Sequence, residues 1–125
     1  MKVVFDAGAL IGLERGDRRL WTVVKLAASE ATPVIVPSAV VAQVWRGGSR
    51  QALLSRALDE CDVASFDELA RQVGELCGRA RTSDVCDAQT ALVAAARGDV
   101  LYTSDPLDLR RLLRVLRARV AVVSC

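Results

Sequence analysis

Five aspartates are spaced so that one pocket could collect them: Asp6, Asp84, Asp87, Asp105 and Asp108. Carboxylates brought together repel, and at least one keeps its proton unless a cation neutralises the group. An all-oxygen set with no His or Cys suits Mg²⁺ or Mn²⁺. Such a site serves phosphodiester hydrolysis, because the metal acidifies a bound water and shields the phosphate charge. The chain contains no His. That excludes Ser-His-Asp triads, His-based acid–base catalysis and His-ligated zinc. Its four cysteines, at 61, 77, 86 and 125, are never in CxxC spacing, so a zinc ribbon or thioredoxin-type site is not indicated. Cys86, between two acids, reads as a small buried hydrophobe.

The elements that must position these acids follow from the apolar pattern. Val3–Phe5 is a continuous apolar run and predicts a buried strand that ends at Asp6. Ala7–Leu13 predicts a short helix, and Asp17 caps a second over Arg18–Glu30. Pro33–Val36 is β-branched and predicts a strand. Ser38 is expected to cap a helix through Arg46 that stops at Gly47-Gly48. Gln51–Glu60 and Asp67–Ala80 predict helices, the second with apolar residues recurring from Leu69 to Ala80 at helical spacing. Ser83–Ala96 is small and apolar nearly all round, hence a buried helix. Val100–Thr103 and Val120–Val123 predict strands, and Asp105-Pro106 opens a helix with Pro at its first position. Apolar strands alternating with helices argue for a parallel sheet covered on both faces.

In that architecture, a helix that follows a strand starts at the strand's C-terminal edge, where such folds place their sites. Asp6 ends the first strand, Asp105 follows the Val100–Thr103 strand, and Asp84 and Asp87 open the helix before it. All of them, with Asp108, can reach one rim. Each also has a structural role open to it: dipole compensation for Asp84 and Asp87, capping for Asp105, Asp108 and Asp6.

With 125 residues, one domain over 1–125 is expected. Hydrophobic residues are 52% and charged residues 26%, which predicts a folded core. A net charge of +2 is too balanced for wholesale coating of nucleic acid or membrane. An acid after only three apolar residues at the N-terminus reads as neither signal peptide nor membrane span, so a cytoplasmic protein with reduced cysteines is expected. All the cationic residues except Lys2 and Lys25 are arginines. Arg110, Arg111, Arg114 and Arg117 read as a solvated helix face, and Arg46, ahead of Gly47-Gly48, is the best candidate for a phosphate contact. Trp21 and Trp45 read as core or dimer-interface residues.

The chain resembles PIN-domain ribonucleases, specifically VapC-type toxins of prokaryotic toxin–antitoxin pairs. The resemblance rests on Val4-Phe5-Asp6-Ala7-Gly8-Ala9-Leu10-Ile11, on Ser83-Asp84-Val85-Cys86-Asp87-Ala88, and on Leu101-Tyr102-Thr103-Ser104-Asp105-Pro106-Leu107-Asp108-Leu109. It implies a three-layer α/β/α fold with a central, mostly parallel sheet of four or five strands. It implies a Mg²⁺- or Mn²⁺-dependent endoribonuclease, neutralised by a cognate antitoxin and usually homodimeric. Carried over, Asp6, Asp87 and Asp105 are the catalytic metal-holding acids, with Asp84 and Asp108 secondary. Thr103 and Ser104 are placed to hold a metal-bound water or a phosphate oxygen. One position departs: where the family usually has a Glu in the helix after the second strand, this chain has Gln43, whose amide carries no charge. Glu14, leaving the rim along a helix, is a poor substitute. The rival reading is therefore a PIN-fold module that binds RNA or protein with little or no turnover.

Overall fold

The computed structural model describes residues 1–125. Its five strands are β1 (Val3–Phe5), β2 (Ile35–Pro37), β3 (Asp62–Ala64), β4 (Val100–Thr103) and β5 (Ala121–Ser124). The helices are α1 (Ala7–Glu14), α2 (Arg18–Ser29), α3 (Ser38–Val44), α4 (Ala52–Asp59), α5 (Ala70–Ala80), α6 (Val85–Arg97) and α7 (Pro106–Val115). Short 3₁₀ turns at Ser49–Gln51 and Asp67–Leu69 lead into α4 and α5. Every strand pair is parallel, in the order β3-β2-β1-β4-β5. No helix is long and apolar enough to cross a membrane.

Successive residues of a strand face opposite sides of the sheet, and that alternation divides the core in two. Val4, Ile35 and Leu101 point toward α5, α6 and α7, where Ala88, Ala91 and Ala94 let α6 lie close to the sheet. Val3, Phe5, Val34 and Val36 point the other way, against α1, α2 and α4. The result is the expected three-layer α/β/α arrangement with a five-stranded parallel sheet. Phe5 meets Tyr102 edge-on, at 5.4 Å between ring centroids, and so stiffens the β1–β4 pair.

The chain builds outward from β1 to β2 and β3, then returns to the other side of β1 for β4 and β5. The sheet therefore reverses its winding between β1 and β4, which is where open α/β sheets form a crevice at the strand C-termini. β1 and β4 run in register, Val3 opposite Val100 and Phe5 opposite Tyr102. The Asp6 amide extends the ladder with a 3.1 Å bond to the Tyr102 carbonyl.

One strand comes unannounced, and two expectations are corrected. β3 has no apolar run to announce it: it begins on Asp62, and Val63 faces solvent. The helix expected to run through Arg46 ends at Val44, and Ser38 does not cap it. Pro37 occupies the cap position, while the Ser38 hydroxyl accepts the Phe66 amide at 2.9 Å. The long buried helix starts at Val85 rather than Ser83, with Asp84 as its cap.

One buried polar side chain ties the rim together. Gln89, wholly buried on α6, accepts the Ala39 amide at 3.0 Å and donates to the Ala64 carbonyl at 3.0 Å. It thereby joins the start of α3 to the end of β3. Gln89→Leu keeps the volume but orphans a buried donor and acceptor. It should cost about 2–4 kcal/mol, read as a lower urea midpoint at unchanged slope.

Candidate functional site

Asp6 is 5% exposed at the end of β1 and caps α1. A carboxylate taken this far from water needs partners, and it has two. One oxygen accepts the Gly8 amide at 3.1 Å, and the other accepts the Thr103 hydroxyl at 2.5 Å. The same Thr103 oxygen accepts the Asp105 amide at 2.9 Å. A fully buried threonine on β4 thus connects the strand-end acid on β1 to the loop that starts α7. Gly8 is required here, because a Cβ at that position would lie 2.4 Å from the Ser104 Cβ.

The other acids arrive on helix starts. Asp84 accepts the Asp87 amide at 2.9 Å and caps α6. That capping leaves Asp87, half-buried in the first turn, facing the crevice. Asp105 occupies the cap position of α7, and its carboxyl meets Asp108 in the same first turn. Carboxylate oxygens of Asp87, Asp105 and Asp108 all lie within 4.8 Å of one another. Asp6 stands outside that triplet but within electrostatic reach of Asp87 and Asp105.

The crowding has a measurable consequence. Burial first, then the charges of Asp84, Asp6, Asp105 and Asp108, push the Asp87 carboxyl up to about 7. Asp105 is raised too, by lost hydration and by the adjacent Asp108 carboxyl. Oxygen ligands in which protonation and repulsion compete fit a hard divalent cation, since one such ion relieves every pairwise repulsion.

The remaining sequence-derived candidates fall as follows. Thr103 lies within the site as a hydrogen-bond relay, and Ser104 stands exposed beside it. Gln43 is exposed on α3 and hydrogen-bonds none of the acids. Arg46 is turned back on its own backbone: its guanidinium donates to the Ala42 carbonyl at 3.1 Å and the Trp45 carbonyl at 2.7 Å. It lies past the end of α3, about 10 Å along the axis from that helix's start at the rim. Cys86 is half-buried, with its thiol 3.7 Å from the Ala39 carbonyl. Burial and the charges of Asp84, Asp87 and Asp6 raise its pKa, so it stays a neutral thiol. Trp21 is partly buried, its indole N–H bonded to the Leu13 carbonyl at 3.1 Å, while Trp45 is 39% exposed.

One organising residue has no signal in the sequence. Gln51, 6% exposed, accepts the Arg46 and Gly47 amides and donates to the Val44 carbonyl and to Glu14 at 2.7 Å. It holds the α3–α4 turn in shape and accounts for Glu14, which serves that turn rather than the acid cluster.

No protein-family model matches the sequence. No curated protein matches it either. Solved structures do share its architecture. The structure of FitAB bound to an IR36 DNA fragment superposes with a TM-score of 0.63 at 16% identity, over 98% of this chain and 94% of that one. PAE2754 from Pyrobaculum aerophilum superposes with a TM-score of 0.56 at 20% identity, over 98% and 83%. The fold is PIN-like, as the sequence resemblance implied.

The acid cluster makes stability depend on pH in a defined direction. The folded protein holds a proton on Asp87 up to about pH 7, whereas an unfolded chain releases it near pH 4. Between those values the native state binds more protons, so stability falls as pH rises through the window and then levels. Asp105 adds to the same trend. In chelator, the urea midpoint should be lower at pH 8 than at pH 5. Asp87→Asn should flatten that difference and raise the pH 8 midpoint, and Mn²⁺ should raise the parent's midpoint but much less that of the variant.

Proposed function

We propose that this chain is a divalent-metal-dependent endoribonuclease, the toxin of a toxin–antitoxin pair, that hydrolyses RNA phosphodiester bonds in the cytoplasm. The observation that carries the reading is the group of carboxylates gathered from α6 and α7 at the β1–β4 switch point, beside the buried Asp6. Asp87, Asp105 and Asp6 would hold a Mg²⁺ or Mn²⁺ ion, with Asp108 and Asp84 at its margin. When bound, such an ion acidifies a coordinated water and neutralises phosphate charge.

The chain's own residues do the rest. Thr103 holds the Asp6 carboxylate and the Asp105 backbone in fixed relation, so the acids are positioned before any ion arrives. Burial and four neighbouring carboxylates crowd Asp87, and a bound cation would relieve that repulsion. The hydroxyl of Ser104, on the open side, is placed for a phosphate oxygen. The natural inhibitor would be a small partner protein that puts a cationic side chain into the same acids, for which a bidentate guanidinium is well matched. Homodimerisation is part of the proposal, and Trp45 is a surface it can use.

A second reading is favoured by Gln43. No carboxylate comes from α3, so the ion has one charge fewer to hold it, and a PIN-fold module with weak or no turnover would act through its partner or by retaining RNA. Metal-dependent cleavage of a structured RNA separates the two readings, since a pure binding module leaves the RNA whole.

Asp6→Asn and Asp105→Asn remove a charge at nearly unchanged volume. In Asp6→Asn the amide oxygen still accepts the Gly8 amide, and the new NH₂ donates to the Thr103 hydroxyl oxygen in place of accepting from it. Each should lower cleavage by about 100-fold or more while the circular dichroism spectrum stays that of the parent. Undiminished cleavage by Asp6→Asn in metal-free buffer would refute the proposal. Gln43→Glu restores a charge on α3. It should tighten Mn²⁺ binding several-fold by calorimetry and lower the metal concentration needed for half-maximal cleavage. Unchanged or weaker Mn²⁺ binding by a folded variant would mean that α3 takes no part in holding the ion.

A further inference from the structure

Beside the acid cluster lies a cleft of about 600 Å³, within the range of roughly 300–1,000 Å³ common for small-ligand sites. Its walls come from Gly8, Ile11 and Gly12 on α1, Arg15 and Asp17 at the α1–α2 turn, and Ser104 from the loop after β4. None of the five clustered acids lines it, but two of its wall residues adjoin them. The Gly8 amide donates to Asp6, and Ser104 lies between the relay residue Thr103 and Asp105.

Two close approaches shape the cleft. A Cβ on Gly8 would meet the Ser104 Cβ at 2.4 Å, and one on Gly12 would meet the Leu20 methyl at 2.4 Å. The bare backbone lets α1 settle between the β4–α7 loop and α2, and leaves a floor without side chains next to Ile11. Ile11 is 38% exposed and offers an apolar flank.

The polar groups are complementary to a nucleotide. The Arg15 guanidinium forms no ion pair or hydrogen bond within the chain, in contrast to Arg46, whose guanidinium is spent on its own carbonyls. One Asp17 oxygen accepts the Arg19 and Leu20 amides at 2.9 and 3.2 Å. The other is left as an acceptor for a ribose hydroxyl or a base amino group. A polyanion entering the acid cluster is repelled on every side, so a cation just outside the cluster is where an adjoining phosphate gains most.

We propose that this cleft binds one nucleotide of single-stranded RNA next to the scissile phosphate, with Arg15 on a phosphate, Ile11 against the base and Asp17 accepting from the sugar or base. The proposal rests on the nuclease reading for its register, but not for its test. Arg15→Gln removes the cation, and Ile11→Trp fills the cleft from an exposed position. Neither touches an acid.

The probe is a labelled single-stranded RNA octamer, bound in Ca²⁺ and followed by fluorescence anisotropy. Each variant should weaken binding about tenfold, and Arg15→Gln should reduce the slope of log affinity against log salt by about 0.7. Mn²⁺ affinity by calorimetry should stay within about twofold of the parent's, showing the acid cluster intact. In amide NMR spectra the octamer should shift Gly8, Gly12 and Gly16. RNA that binds both variants like the parent, or that leaves those amides unmoved, overturns the cleft, and so does RNA that does not bind at all. RNA bound in the cleft but never cut overturns the nuclease reading alone. RNA cut with the parent's KM by both variants overturns the cleft alone.

Discussion

The structure depends on holding one carboxylate, that of Asp6, in place at the end of a buried strand. Burial at 5% exposure deprives it of water, so each of its oxygens needs a donor. The Gly8 amide supplies one and the Thr103 hydroxyl the other. Because that hydroxyl has spent its proton on Asp6, its lone pair is oriented to accept the Asp105 amide. One side chain therefore sets the relation between β1, β4 and the start of α7. Gly8 also matters for packing: α1 begins so close to Ser104 that only glycine at position 8 permits the approach.

The other acids make the site costly to the fold. Helix starts at α6 and α7 bring partial positive charge to the crevice, which favours carboxylates there. That effect falls short of balancing the crowding, since Asp87 is driven up to about 7 and Asp105 also upward. Capping by Asp84 alone would stabilise α6. Adding Asp87, Asp105 and Asp108 within 4.8 Å of one another gives no structural return in the metal-free chain. A local conflict with stability of this kind is expected where a site serves chemistry.

Much of this was legible in the sequence because it depends on short-range order. Apolar runs located β1, β2, β4 and β5 to within two residues, the first three of them closed by an acid or proline, and the gathering of the five aspartates follows once the sheet is parallel. What could not be read depends on contacts between distant segments. β3 is three residues long, starts on an acid and is paired only along β2, so neither its alternation nor its apolarity stands out. Ser38 has the composition of a cap, yet its hydroxyl serves Phe66, 28 residues away. Gln89 and Gln51 look like surface residues in sequence. Each is buried because it satisfies backbone groups on elements that only the finished fold brings together. Asp108 was legible as a rim acid, and the packing of α6 on α7 then brings it within 4.8 Å of Asp87 and Asp105.

The near-neutral net charge of +2 conceals a segregated molecule. Five of the fifteen acids sit at one rim, so seventeen cationic side chains face ten acids over the rest of the surface. Only two ion pairs form, Lys25 with Glu60 and Arg97 with Asp62, so most of the arginines are left without partners. A polyanion approaching from beyond a Debye length of about 8 Å feels little of either pole at physiological salt. Inside that distance it is drawn to the basic body and refused at the rim. The refusal is lifted only when something cationic occupies the acids, whether a metal ion or a guanidinium from another chain. The two occupants compete for the same charge deficit, and they differ in what they leave open. An ion keeps the crevice accessible to a phosphate, whereas a side chain brings its own backbone across it. Under the proposed function, activity and inhibition would share one set of aspartates, the balance set by which cation arrives, with no change of fold required.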